Sequence, residues 1–145
     1  MCSAQKELVS RIQEINGSMQ SNIRAATTAS QGKDALVSGL GELVQGYGTF
    51  LDELRRAGTP KLKNGAKVVR LFKNSFTDAR TLLAQAQEAA NNLDTSDPGA
   101  FQTGISNAQT ALREGGAKVE QTSRALDEAG RRDKKLNEAL KECVR

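Results

Sequence analysis

The side chains of this chain that could carry chemistry are two cysteines, a run of basic residues and a few neighbouring carboxylates; there is no histidine. Histidine is the commonest general base and the commonest metal ligand, so its absence removes both roles. Glu42, Asp52 and Glu53 lie close in the sequence, but their spacing on amphipathic helices is typical of surface carboxylates. We therefore predict no catalytic, metal or cofactor site, and no enzyme activity.

The two cysteines, Cys2 and Cys143, enclose almost the whole chain. In an up-down-up-down bundle they would lie at the same pole, where a disulfide could join the first helix to the last. Alternatively, Cys2 could be the lipid-bearing cysteine of a bacterial lipoprotein, or both could be free thiols, since position 143 also suits simple burial. The disulfide would require an oxidising compartment.

A run of basic residues without any acidic residue extends from Arg55 to Lys73. With a net charge of +4, it predicts a surface for an anionic partner, such as lipid headgroups, an envelope polymer or nucleic acid. Nucleic acid is disfavoured because no aromatic series is present on which bases could stack. An ordinary solvated helix face is the alternative. The predicted contact residues, here called the basic edge, are Lys63, Lys67, Arg70 and Lys73.

Apolar residues recur in steps of three and four along the chain, which is typical of amphipathic helices. The spacing predicts helices over 4–29, 34–57, 60–93 and 98–143, packed as one domain over 1–145. The fold class is all-α: an elongated up-down-up-down four-helix bundle with long third and fourth helices.

Three breaks are predicted between these helices. The first lies near Gly32, with Asp34 as N-cap of the second helix. At the second, Gly58 suits the end of a helix, while Thr59 and Pro60 suit the start of the next. The third break repeats this pattern of an N-cap residue followed by proline, with Asp97 as N-cap and Pro98 in the first turn of the last helix.

The segment that runs from 57–60 through the break at 94–98, together with the ending 136–143, resembles small secreted proteins and lipoproteins of actinobacteria. Members of that loose family have helical cores, an early and a late cysteine, and mostly no assigned function. The resemblance implies an extracytoplasmic location, either secreted or lipid-anchored, and a mature form without its export signal. A cytoplasmic location is the alternative.

Two function classes follow from these observations. The first is a non-catalytic binding or scaffolding module that recognises an unknown protein or envelope component. The second is a membrane- or lipid-associating protein that uses the basic edge together with an apolar stripe.

Overall fold

The computed structural model describes residues 2–61, 64–132, 134–135 and 137–138, with only the backbone described at 2–5, 126 and 130. Four helices account for nearly all of these residues, and no strand occurs among them. The predicted all-α, up-down four-helix bundle is confirmed. The helices are α1 (Cys2–Ala25), α2 (Ala29–Ala57), α3 (Gly65–Asn91) and α4 (Pro98–Arg132).

Each helix runs antiparallel to the next. Met19 of α1 lies against Gly39 of α2, so the end of one helix meets the first half of the other. The same reversal relates α3 to α4, where Ser75 Oγ donates to the carbonyl oxygen of Lys118 at 2.7 Å. In the described residues, the Cα atoms of α1 and α4 stay more than 8 Å apart, so a gap separates the two backbones on that side of the bundle.

The core is built from aliphatic residues around four aromatic rings. Phe50 and Phe76 are the closest pair, with ring centroids 4.5 Å apart, and Tyr47 lies 5.7 Å from Phe76. Leu40 and Leu43, one turn apart on α2, are almost fully buried beside them. All four helices contribute side chains to this one cluster, which explains why the three- and four-residue steps were readable in every segment.

The first break lies earlier than predicted. Helix α2 begins at Ala29, because Thr28 accepts a hydrogen bond from the Gln31 amide and the Gln31 side chain accepts one from the Thr28 amide. The predicted break at Gly32 and the predicted N-cap at Asp34 are therefore wrong. Gly32 is a buried helical residue, and the ring of Phe101 lies where its side chain would be.

The second break is longer than predicted. Gly58 has φ 69°, and its amide donates to the carbonyl oxygen of Arg55, which ends α2 as expected. Pro60, however, does not start α3, which begins at Gly65. The carbonyl oxygen of Pro60 lies where a side chain on Gly65 would be, so the connection folds back onto the first turn of α3. As a result α3, with 27 residues, is shorter than α2, with 29.

The third break is confirmed. Helix α4 begins at Pro98, and the carboxylate of Asp97 accepts hydrogen bonds from the amides of Gly99 and Ala100 at 2.8 and 3.2 Å. Within the same turn, hydrogen bonds from Ser96 hold the pKa of Asp94 below its ordinary value. With 35 residues, α4 is the longest helix, about 52 Å along its axis.

Candidate anion-binding groove

A groove runs along the outer side of the α2–α3 pair, facing away from α1 and α4. Its volume is about 480 Å³. One wall is the face of α2 that carries Gly48, Leu51 and Arg55, at helical spacing of three and four. The other is the face of α3 that carries Val69, Lys73, Thr77 and Arg80; we call this space the basic groove.

Three cationic side chains line the basic groove: Arg55, Lys73 and Arg80. The one carboxylate in its lining, Asp52, is 3.3 Å from the Arg55 guanidinium, so its charge is offset locally. Lys73 and Arg80 form no ion pair with any described residue. The groove therefore carries uncompensated positive charge on its α3 wall.

Arg80 lies beside a glycine of α2. Gly48 lies opposite Arg80 across the groove, and a side-chain carbon at Gly48 would be 3.4 Å from the Arg80 Nε atom. A side-chain carbon at that distance would be in ordinary van der Waals contact, so Arg80 borders the groove beside the backbone of α2 while its side chain remains exposed.

The floor of the groove is apolar, and two hydroxyl groups accompany the cations. Leu54 is 2% exposed and lies at the base, with Leu51 and Val69 partly buried beside it. Thr59 and Thr77 add hydroxyl groups at the edge. Such a combination suits an anionic group, such as a phosphate or carboxylate, that is attached to an apolar part.

The residues of the predicted basic edge do not all lie in the basic groove. Lys73 lines the basic groove, whereas Lys67 and Arg70 are exposed on α3 outside it, and Lys63 lies outside the described residues. Lys73 is thus brought together with two residues that were not among the predicted contacts, Arg55 and Arg80. The signal for Arg80 was present in the sequence: 73, 77 and 80 follow the four- and three-residue steps of one helix face.

The other predicted chemical groups give no second cluster. Cys143 lies outside the described residues, and only the backbone of Cys2 is described, so their disulfide stays a prediction. Glu42 and Asp52 are exposed, and no group of three metal-ligating side chains occurs in the described part of the chain. None of the described helices is long and apolar enough to cross a membrane.

Comparison of the chain with protein families, with characterised proteins and with solved structures finds no match.

Proposed function

We propose that this protein is a non-catalytic helical-bundle binding module that recognises an anionic group of a partner in the basic groove. The observation that carries the proposal is the pair Lys73 and Arg80: two cations on one face of α3 that have no acidic partner among the described residues. Charges that are not needed for an internal ion pair remain available for a ligand. The apolar floor at Leu54 favours a ligand with an apolar part beside its anionic group.

Within the same proposal, we place the protein outside the cytoplasm, secreted or tethered to the envelope, with an envelope component or another protein as the partner. The support is the pair of cysteines and the resemblance drawn from the sequence. Intact mass after thiol alkylation without reductant tests this part. A Cys2–Cys143 disulfide leaves both cysteines unmodified, whereas two alkylated cysteines in natively purified protein would contradict it.

A peripheral contact with anionic lipid headgroups is the second candidate. The exposed basic residues outside the groove, among them Arg56, Lys67 and Arg70, favour it because they would extend a positive surface beyond the groove. The apolar stripe that would accompany them is buried in the core, and Val9 is the one large hydrophobic side chain that is exposed among the described residues. This candidate is therefore a purely electrostatic contact.

A matched pair of double variants tests the proposal. Lys73→Gln/Arg80→Gln removes two charges from the basic groove, and Lys67→Gln/Arg70→Gln removes two charges from the same helix outside it. The probe is benzyl phosphate, measured by isothermal titration calorimetry, with benzyl alcohol as the uncharged comparison. We expect the groove variant to raise the Kd about tenfold or more, equivalent to about 1.4 kcal/mol, and the outer variant to change it little.

The same two variants separate the candidates on vesicles. If phosphatidylglycerol vesicles bind the protein in a salt-dependent manner and both double variants weaken binding equally, the diffuse lipid contact is the better account. Equal weakening of benzyl phosphate binding by both variants would likewise contradict recognition in the groove. All the substituted residues are exposed, so we expect each variant to fold with a change in stability of about 0.5 kcal/mol per site.

A further inference from the structure

A second groove lies on the opposite side of the bundle, between α1 and α4. The described Cα atoms of these two helices stay more than 8 Å apart, and the space between them has a volume of about 380 Å³. Its floor is the core itself, formed by Leu43 and Tyr47 of α2 and Leu83 of α3. We call it the core groove. Its size falls within the range of small-molecule sites, about 300–1,000 Å³.

The walls of the core groove are apolar and its rim is polar. Ile12 and Met19 line it from α1, and Leu112 lines it from α4. Asn16 and Gln20 add side-chain amides on the α1 side. An apolar floor with a few polar groups at the entrance is the common arrangement of small-molecule sites.

Tyr47, which lines the floor of this groove, carries a hydroxyl group. The residue is 7% exposed, and its hydroxyl forms no hydrogen bond with any described residue. That hydroxyl is not sealed in the protein, because no buried polar side-chain atom of the described residues lacks a partner. A hydroxyl with no protein partner at the base of a groove is available to a ligand.

The charged side chain that lines the core groove is a cation. Arg113 is the one ionisable side chain besides Tyr47 in its lining; no carboxylate lines it, and Arg113 forms no ion pair with a described residue. An anionic group at the rim would therefore meet a positive charge without competition. An apolar body could then occupy the space over Leu43 and Leu83.

We propose that the core groove is a second binding site, for a small apolar monocarboxylate whose chain packs on Leu43 and Leu83 and whose carboxylate pairs with Arg113. The Tyr47 hydroxyl supplies a hydrogen bond inside the groove. The site lies on the side of the bundle opposite the basic groove and shares no lining residue with it. A negative result at one groove therefore does not bear on the proposal for the other.

Gly116 provides a direct test. It lines the core groove, and a Cβ atom added there would meet no atom within 4 Å. We expect Gly116→Leu to occupy part of the groove, while replacing a helical glycine. The matched control is Gly17→Leu: Gly17 is an exposed glycine of α1 that also has open space around it and does not line the groove.

The probe is octanoate, measured by isothermal titration calorimetry, with octanol as its uncharged counterpart. We expect saturable binding to the unsubstituted protein, at least a tenfold loss of affinity in Gly116→Leu, and no loss in Gly17→Leu. Arg113→Gln should weaken octanoate several-fold and leave octanol unchanged. Because Arg113 is exposed, that variant keeps the test valid if Gly116→Leu does not fold.

Three results would overturn the proposal. One is the absence of saturable octanoate binding, and another is unchanged affinity in both Gly116→Leu and Arg113→Gln. The third is a dimer in sedimentation velocity that Gly116→Leu dissociates, since the groove would then be an interface between copies of this chain.

Discussion

The two grooves differ in how the helices on either side of them are held. The basic groove lies on α2 and α3, which are joined where Gln87 Nε2 donates to the carbonyl oxygen of Val37 at 3.4 Å. Lys33 Nζ of α2 also donates to the carbonyl oxygen of Leu93, just beyond the end of α3, at 3.0 Å. The core groove lies between α1 and α4, whose Cα atoms stay more than 8 Å apart in the described part of the chain. No hydrogen bond joins α1 to another helix among the described residues, so α1 is held by apolar packing alone.

The two proposals assign a different kind of recognition to each groove. In the basic groove, specificity would come from cations at helical spacing on α3. In the core groove, the core itself forms the floor, and recognition would come mainly from apolar contact.

The largest effect is expected from truncating the leucine at the floor of either groove. Leu43 is 1% exposed beneath the core groove, and Leu54 is 2% exposed beneath the basic groove. Leu43→Ala and Leu54→Ala should each lower the free energy of unfolding by about 2–5 kcal/mol, measured by chemical denaturation. If only one of them does so, the two floors are not equally part of the core.

The next effect concerns the attachment of α1. A side-chain carbon at Gly39 would lie 2.6–2.8 Å from three atoms of Met19, including its Cβ, so Gly39→Leu must push α1 away from α2. We expect a loss of about 1–3 kcal/mol, with amide hydrogen exchange accelerated in α1 more than in α3. Gly17→Leu is the control, and equal acceleration in both helices would contradict the independent attachment of α1.

A smaller effect is expected from the hydrogen bond that joins α2 to the segment just after α3. Lys33→Met keeps most of the side-chain volume and removes the donor to the Leu93 carbonyl oxygen. We expect a loss of about 0.5–1.5 kcal/mol in thermal or chemical unfolding. Lys67→Met, on an exposed face, serves as the matched control; equal losses in both would show that the Lys33 bond contributes nothing of its own.

The smallest effect is the pH dependence that Tyr47 contributes. Burial raises the pKa of Tyr47 above 10.0, so the folded protein holds this proton more tightly than the unfolded chain does. The contribution of Tyr47 to the free energy of unfolding is therefore fully present below pH 10 and is lost as the pH rises through the raised pKa. Above pH 10, the free energy of unfolding should fall less in Tyr47→Phe than in the unsubstituted protein. If the two proteins show the same dependence of unfolding free energy on pH, the burial of the hydroxyl is contradicted.

The helices could be predicted from the sequence because their apolar faces all turn towards one core. The cap at Asp97 was predictable because its signal is local. The Gly32 break was wrong because this glycine serves a distant contact, the ring of Phe101 from α4, which the local sequence does not reveal. The true signal, Thr28 with Gln31 three residues later, was present but less conspicuous than a glycine.

The candidate site was predictable only in part for the same reason. Lys73 belonged to the predicted basic edge, but the run of basic residues in the sequence mixes residues of α2 with different faces of α3. Only the pairing of α3 with α2 groups Lys73 with Arg80, which lies beyond that run. The core groove could not be predicted at all, because the apolar spacing of α1 and α4 is the same whether or not the two helices touch.

The most direct test of the two-groove account is an amide chemical-shift titration of the isotope-labelled protein with benzyl phosphate and, separately, with octanoate. The account predicts two separate sets of shifted residues. Benzyl phosphate should shift amides around Gly48, Lys73 and Arg80, and octanoate should shift those around Leu43, Leu112 and Gly116. Shifts from both ligands at one shared set of residues, or spread over every basic face, would contradict it.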